Sequence, residues 1–180
     1  GDLPAKSKII NNQNQSLEHD LIHGGEGDDI IFTDNGDDII FGDAGQDFIN
    51  AGSGNNIIFG GSGSNNIKSG DGSDIIYAGN EGDYLYGEND DDELYGGQAD
   101  DIIYGNQGSD IIQTGAGKNL VLGGEGDDII MADFFIKIPT ILGFQNSLHG
   151  ELGNDIIIGS SNSDLITDGD GDDMVFGGYG

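Results

Sequence analysis

Aspartate recurs at nine-residue intervals through most of the chain, and such regularly spaced carboxylates could bind cations. When residues 15–176 are divided into 18 units of nine, the sixth position is Asp in 13 units and Asn in four. Lys137 is the one other residue at this position. Carboxylate and amide oxygens are ligands of hard divalent cations, and Ca²⁺ takes six to eight oxygens. The column therefore predicts a row of cation sites.

The charge of the chain requires such cations. It has 34 acidic residues against five lysines and no arginine, a net charge of −29, and 35 glycines. Like-charge repulsion and backbone entropy would keep this composition disordered unless divalent cations neutralise the acids. The negative sign excludes nucleic acid as a partner. It also opposes contact with anionic membranes unless calcium bridges the two surfaces.

Short strands and glycine turns are predicted around the aspartates. The eighth position is Ile, Leu or Val in 17 of 18 units, with Pro139 as the exception. The middle residue of a three-residue strand faces opposite to its neighbours, so this column predicts an aliphatic core. Glycines in the first four positions permit the positive φ of tight turns. Two units then form a coil of 18 residues, and nine such coils stack about 4.8 Å apart through parallel strands.

The repeat resembles the RTX (repeats-in-toxin, hemolysin-type) calcium-binding nonapeptide repeat. The units at 24–32, 33–41, 69–77 and 123–131 read GGEGDDIIF, TDNGDDIIF, SGDGSDIIY and GGEGDDIIM, and the resemblance covers about nine tenths of the chain. It implies an all-β, right-handed parallel β-roll with two short strands per coil, disordered without calcium and folded with it. It further implies a secreted protein, extracellular or at the cell surface, that a Gram-negative bacterium exports by type I secretion.

The resemblance also implies the ligands. Each ion is expected between two turns of the same edge that lie one coil apart, as for Asp29 with Asp47 on one edge and Asp20 with Asp38 on the other. The implied sixth-position ligands are Asp20, Asp29, Asp38, Asp47, Asn56, Asn65, Asp74, Asp83, Asp92, Asp101, Asp110, Asp128, Asp155, Asp164 and Asp173. The implied fifth-position ligands are Asp28, Asp37, Asp91, Asp100, Asp127 and Asp172. The implied main-chain carbonyl ligands are those of Gly25, Gly27, Gly42, Ala44, Gly70, Gly72, Gly87, Asn89, Gly105, Gly108, Gly123 and Glu125.

The strength of the sites is expected to vary along the roll. The aspartates 74, 92, 110 and 128 form the longest unbroken acidic column. Weaker binding is expected near Asn56 and Asn65, and none where Asn119 meets Lys137 on the same edge. About 12 to 14 calcium ions are expected, a number whose charge nearly cancels −29.

Four segments are predicted. Residues 1–14 are a lead-in or cap, 15–131 are regular repeats, 132–149 are a degenerate coil that keeps the frame, and 150–180 are repeats that we expect to continue beyond the chain. The segment 132–149 lacks the glycines and carries an apolar run at 134–142. We favour aromatic packing in place of metal there, and the alternative is a docking surface for a protein partner.

We predict that the chain is not itself an enzyme. It contains no GxSxG, HExxH or GxxxxGK[ST] motif. The acidic stretch 168–173 fails as an EF-hand loop, because the loop's sixth and twelfth residues should be Gly and Glu but are Asp173 and Tyr179. No apolar stretch approaches the length of a membrane span. A secretion or folding module, an adhesin stalk, a surface-layer segment and the roll of a larger enzyme or toxin stay open.

Two smaller features are interpreted as structural and not as binding sites. Ninth-position aromatics such as Phe41, Phe59, Tyr77 and Tyr95 are expected to stack along an outer face, with carbohydrate or partner binding as the alternative. The histidines at 19, 23 and 149 are expected to be isolated and solvated, since none has the spacing of a zinc site.

Overall fold

Short strands make up the fold. A computed structural model describes residues 7–11, 19–132 and 146–178. These residues form 18 strands and no helix, so they contain no helix long and apolar enough to cross a membrane. The strands are β1 Ile9–Asn11, β2 Leu21–Glu26, β3 Ile30–Phe32, β4 Ile39–Ala44, β5 Phe48–Asn50, β6 Ile57–Gly61, β7 Asn66–Asp71, β8 Ile75–Gly79, β9 Tyr84–Asn89, β10 Glu93–Gly97, β11 Ile102–Gln107, β12 Ile111–Gly115, β13 Leu120–Glu125, β14 Ile129–Ala132, β15 Ser147–Leu152, β16 Ile156–Ile158, β17 Leu165–Asp170 and β18 Met174–Phe176.

The strands lie in two parallel sheets. Odd-numbered strands form one nine-stranded sheet and even-numbered strands form the other, so the chain alternates between them. Ile22 pairs with Ile40 and Ile40 with Ile58, so neighbouring strands of a sheet are offset by two repeat units. The predicted fold class, an all-β parallel solenoid with two strands per coil of two units, is confirmed.

The eighth-position residues form the core. They fill the space between the two sheets, and fourteen of those described, including Ile31, Leu85 and Ile130, have under 2% of their surface exposed. Burying such a side chain contributes about 1.5 to 3 kcal/mol relative to leaving it in water. The core is only one side chain wide from each sheet, and its column ends at Val175, which is 42% exposed.

The turns use left-handed backbone at the second and fourth positions. Gly25 and Gly27 have φ of 100° and 104°. The same conformation occurs at non-glycine residues in other units, where a β carbon makes it unfavourable: Asp43, Glu88, Asp90, Asn106 and Glu151. The turn shape is therefore set by the stacking of coils and not only by glycine.

Aromatic side chains stack on the outer face of the even-strand sheet. Ring centroids of Phe41, Phe59, Tyr77 and Tyr95 follow one another at 4.8, 5.1 and 4.8 Å, with planes within 10° of parallel. His23 extends the stack at 4.6 Å from Phe41, a member that the aromatic pattern did not predict. The predicted stacking is present, and each inner ring has its two faces against neighbouring rings.

At two places the separation between paired residues of neighbouring strands is not two repeat units. Ile9 pairs with Ile30, a separation three residues longer than two units, and the predicted lead-in thus contributes a strand of its own. Leu120 pairs with Ser147 and Ile129 with Ile156, both at a separation of three units. The chain between β13 and β15 is therefore nine residues longer than between neighbouring strands of the regular coils. The 18-residue spacing expected through 132–149 is wrong at these strands, although the nine-residue frame is kept. Residues 133–145 themselves, and with them the expected degenerate coil, lie outside the described ranges.

Candidate metal centre

The sixth-position residues line the two edges where the chain turns from one sheet to the other. Turns that lead into odd strands form edge 1, and turns that lead into even strands form edge 2. On each edge the main-chain N–H of one sixth-position residue donates to Oδ1 of the next. The distances are 2.8 Å from Asp29 to Asp47 and 2.9 Å from Asp92 to Asp110. We call each such pair a rung.

One oxygen of each buried carboxylate is left over. Oδ2 is buried and has no hydrogen-bond partner in ten sixth-position aspartates, which are Asp29, Asp38, Asp47, Asp74, Asp83, Asp92, Asp101, Asp110, Asp128 and Asp155. Each of these residues is at most 3% exposed. Buried polar atoms are nearly always satisfied, and an unpaired buried charge is far more costly than a neutral group. Ten equivalent unpaired oxygens along the two edges indicate a ligand that recurs with the repeat.

A first-position glycine leaves space beside this oxygen. A β carbon on Gly105 would lie 2.2 Å from Asp110 Oδ2 and 2.4 Å from the carbonyl oxygen of Gly123. A β carbon on Gly24 would likewise meet Asp29 Oδ2 and Gly42 O, at 2.8 and 2.5 Å. Carboxylate and carbonyl oxygens thus converge on one small space, and neither atom is a donor. Two converging oxygens without a hydrogen are the electrostatic complement of a cation.

The asparagine rungs show how the sixth-position side chain is satisfied when an amide nitrogen replaces the second carboxylate oxygen. Oδ1 of Asn65 accepts from the N–H of Asp47, and this fixes the orientation of the amide. Its Nδ2 then donates to the carbonyl oxygen of Gly63 at 3.0 Å. Asn56 repeats this contact with Gly54 at 2.9 Å. The fourth-position carbonyl therefore faces the sixth-position side chain in these units. Gly27, Gly72 and Gly108 hold the same position, and their role as metal ligands stays a prediction.

Burial raises the pKa of these carboxyls. The pKa of Asp92 is raised to about 8, first by desolvation and then by the charges of Asp74, Asp110 and Asp90, while the N–H of Asp74 opposes the shift. The pKa rises to about 7 at Asp101 and Asp128. Desolvation likewise raises the pKa to about 6 at four more residues, Asp47, Asp74, Asp83 and Asp110. A bound cation would reverse this shift, because an opposite charge favours the ionised form.

The predicted fifth-position ligands do not lie among the buried sixth-position side chains. Their side chains are exposed, whereas most of the sixth-position side chains are buried. Five of them accept a main-chain N–H from the next coil at 2.7 or 2.8 Å, namely Asp28, Asp37, Asp91, Asp100 and Asp127. Asp172 differs, since its own N–H donates to Asn154. Their role as metal ligands stays a prediction.

The remaining predicted carbonyl ligands already take part in the stacking of turns. Third-position carbonyls accept a fourth-position N–H from the previous coil, at 2.8 Å for Ala44 and Glu125 and 3.3 Å for Asn89. The first-position carbonyl of Gly87 accepts from Ser69 Oγ at 2.7 Å. Second-position Gly25 and Gly70 lie in the left-handed turn, with φ of 100° and 112°. A carbonyl oxygen has two lone pairs, so these bonds leave one free for a metal.

Side chains alone cannot complete a calcium site. Within residues 7–11, 19–132 and 146–178 no three His, Cys, Asp or Glu side chains are grouped around a point. A rung supplies at most two carboxylates, so main-chain carbonyls and water must supply the rest of six to eight oxygens. The three histidines are not sixth-position residues, and the expectation that they are isolated is wrong. His19 and His23 are exposed and lie 3.8 and 3.1 Å from Asp37 and Asp43, while His149 contacts Ser147 and Thr167.

The shifted register changes two rungs from those predicted. The N–H of Asp128 donates to Asp155 at 2.9 Å, so the edge 2 column of aspartates runs on from Asp74 to Asp173 and does not stop at Asp128. On edge 1, Asn119 meets Asn146 and not Lys137. The amide of Asn119 donates to Asn146 Oδ1 at 3.3 Å, and this rung contains no carboxylate. Eight rungs thus pair two aspartates and six pair an aspartate with an asparagine.

Comparison with known proteins agrees with this arrangement. The profile of the RTX calcium-binding nonapeptide repeat, which spans four copies, matches residues 17–49, 50–85, 68–103, 77–112, 104–135 and 148–180. No curated protein matches the chain. The matched segments cover most of the chain and the stacked coils that carry the orphaned carboxylates, and the chain belongs to the RTX calcium-binding nonapeptide repeat family.

Proposed function

We propose that this RTX β-roll is a calcium-gated folding module of a secreted bacterial protein. It is disordered where calcium is scarce and folds outside the cell, where calcium is abundant. The observation that carries the proposal is the set of ten buried Oδ2 atoms without partners along the two edges. A folded roll at neutral pH without metal would have to bury these carboxyls either ionised without a partner or protonated well above their ordinary pKa, and a divalent ion in each rung removes that cost.

The proposed number of ions follows from the rungs. Among the rungs that the described repeats form between Asp or Asn residues, fourteen offer at least one carboxylate, and the eight with two aspartates should bind most tightly. The expected 12 to 14 ions would cancel nearly all of the net charge of −29. Because each ion joins two coils, binding at one rung orders the ligands of the next, and folding should be cooperative along the stack.

The gating has a direct use in export. Without calcium, like charges repel and keep the chain extended, so it can be threaded through a narrow channel. After export, folding with calcium would draw the chain out and fix its shape. We place the module at the cell surface or outside the cell, in a secretion, folding or scaffolding role beside any catalytic domain of a larger protein. The repeats themselves carry no proposed reaction.

The test is a calcium titration of the whole chain followed by far-ultraviolet circular dichroism. In EDTA at pH 7.5 the spectrum should be that of a disordered chain, and calcium should produce β-structure over a narrow concentration range. Magnesium at equal concentration should be far less effective, because it demands smaller, more regular coordination. A fully ordered spectrum in excess EDTA at this pH would contradict the proposal.

A further inference from the structure

Lys8 occupies a sixth-position place on edge 1, although it lies outside the nine-residue frame. Its N–H donates to Asp29 Oδ1 at 2.5 Å, as the N–H of Asp29 does to Asp47. Its carbonyl oxygen accepts the N–H of Ile30 at 2.9 Å, as that of Asp29 accepts the N–H of Phe48. Lys8 and Asp29 therefore form a rung, with a lysine where the other described rungs have Asp or Asn.

The side chain of Lys8 puts a positive charge at the place where carboxylate and carbonyl oxygens converge in the other rungs. Its Nζ donates to the carbonyl oxygen of Gly24, the first-position residue of the Asp29 unit, and lies 2.7 Å from where a β carbon of Gly25 would be. One coil further along, the equivalent carbonyl of Gly42 faces the space shared with Asp29 Oδ2, which has no donor. The Lys8 ammonium therefore lies beside Gly24 O, as Asp29 Oδ2 lies beside Gly42 O one coil further along.

We propose that the Lys8 ammonium is a tethered cation that takes the place of calcium in this rung. The proposal rests on the proposed function, in which the carboxylate rungs hold calcium. A lysine ammonium has three N–H donors and no acceptor, so it can satisfy an oxygen-lined space directly. Unlike calcium, it is attached to the chain and no chelator removes it. The rung that joins β1 to β3 would then hold no metal and keep its cation at every calcium concentration.

Calcium counting by native mass spectrometry of the whole chain tests this inference. Lys8→Asp turns the rung into a pair of aspartates and should add one calcium to the number bound by the unchanged chain. Lys8→Met removes the ammonium without adding a carboxylate and should add none. Asn11→Asp is the matched control, because it adds a carboxylate to the same coil at the exposed ninth position, and it should leave the number unchanged.

The outcomes separate the two proposals. If the unchanged chain binds no calcium, the proposed function fails. If it binds calcium but Lys8→Asp and Asn11→Asp give the same number, the tethered-cation inference fails alone. Should Lys8→Asp not fold, hydrogen exchange at Ile30 in saturating calcium decides. Its N–H bonds to Lys8 O, so Lys8→Met should speed its exchange about tenfold while Lys8→Arg should not. Unchanged exchange in Lys8→Met would overturn the inference.

Discussion

The N–H of Asp92 donates to Oδ1 of Asp110 at 2.9 Å, while Oδ2 of the same Asp110 carboxylate is buried without a partner. One oxygen therefore aligns the two coils, and the other is left for a ligand. This division of one carboxylate into a structural and a binding oxygen recurs along both edges. It means that a rung can be stacked correctly and still be electrostatically incomplete.

Replacing Asp92 by Asn tests this division of roles. The amide keeps an oxygen for the N–H of Asp74 and gains a donor for the fourth-position carbonyl, as Asn65 does with Gly63. Asp92→Asn should therefore bind at least one calcium fewer and yet favour ordered structure in EDTA. Isothermal titration calorimetry and circular dichroism measure the two effects. Asp71→Asn removes the same charge at an exposed side chain that is not a predicted ligand, and equal results for both variants would contradict the assignment.

The pH dependence of the calcium-free chain follows from the raised pKa values. A carboxyl whose folded pKa lies above its unfolded value of about 4 favours folding below pH 4, and this contribution is lost as pH rises through the folded pKa. The relevant values run from about 6 at Asp110 to about 8 at Asp92. In EDTA, ordered structure should therefore appear as pH falls from 8 towards 4. Circular dichroism across this range checks it, and an unchanged spectrum would contradict it.

Adding a carboxylate should strengthen the weak rungs, and more so where a glycine leaves space. Asn65 faces Gly60, whereas Asn56 belongs to a unit whose first residue is Ala51, already with a buried β carbon. Calcium affinity rises with the number of charged ligands. Asn65→Asp should tighten binding at its rungs about tenfold, and Asn56→Asp should do so less. Calorimetry compares the two, and equal gains would show that the first-position space does not matter.

The strained turns offer a change that does not involve metal. Glu151 has φ of 79° and an exposed side chain, a conformation that costs about 1 to 2 kcal/mol for a residue with a β carbon. Glu151→Gly should therefore raise the free energy of unfolding by up to about 1 kcal/mol in saturating calcium, after the entropy cost of glycine. Glu125→Gly, in strand β13 without positive φ, should lower it. Urea denaturation measures both, and a loss of stability in Glu151→Gly would contradict the prediction.

The sequence correctly predicts the features that follow the nine-residue repeat. It cannot reveal a change in strand pairing that leaves this repeat intact. The columns of Asp29 and Ile31 predicted both the rungs and the core, because a side chain's direction in a coil follows from its position in the unit. The pairing of Asp128 with Asp155 could not be predicted in this way. Its extra nine residues equal one full unit, so the frame continues unbroken after them. Lys8 escaped notice for the opposite reason, since its separation from Asp29 is not a multiple of nine.

The nine surplus residues lead to a deletion experiment. Removing residues 134–142, the apolar run, would place Asp128 and Asp155 two units apart, as in the regular coils. The shortened chain should fold at the same calcium concentration and bind the same number of ions. A deletion of residues 136–140 leaves a separation between two and three units, which fits neither spacing, and should lose the ions of the coils after residue 146. Calcium counting and circular dichroism compare the two deletions. If removal of 134–142 unfolds the last coils, the segment is a structural part of the roll, and the surplus inferred from the register is not dispensable.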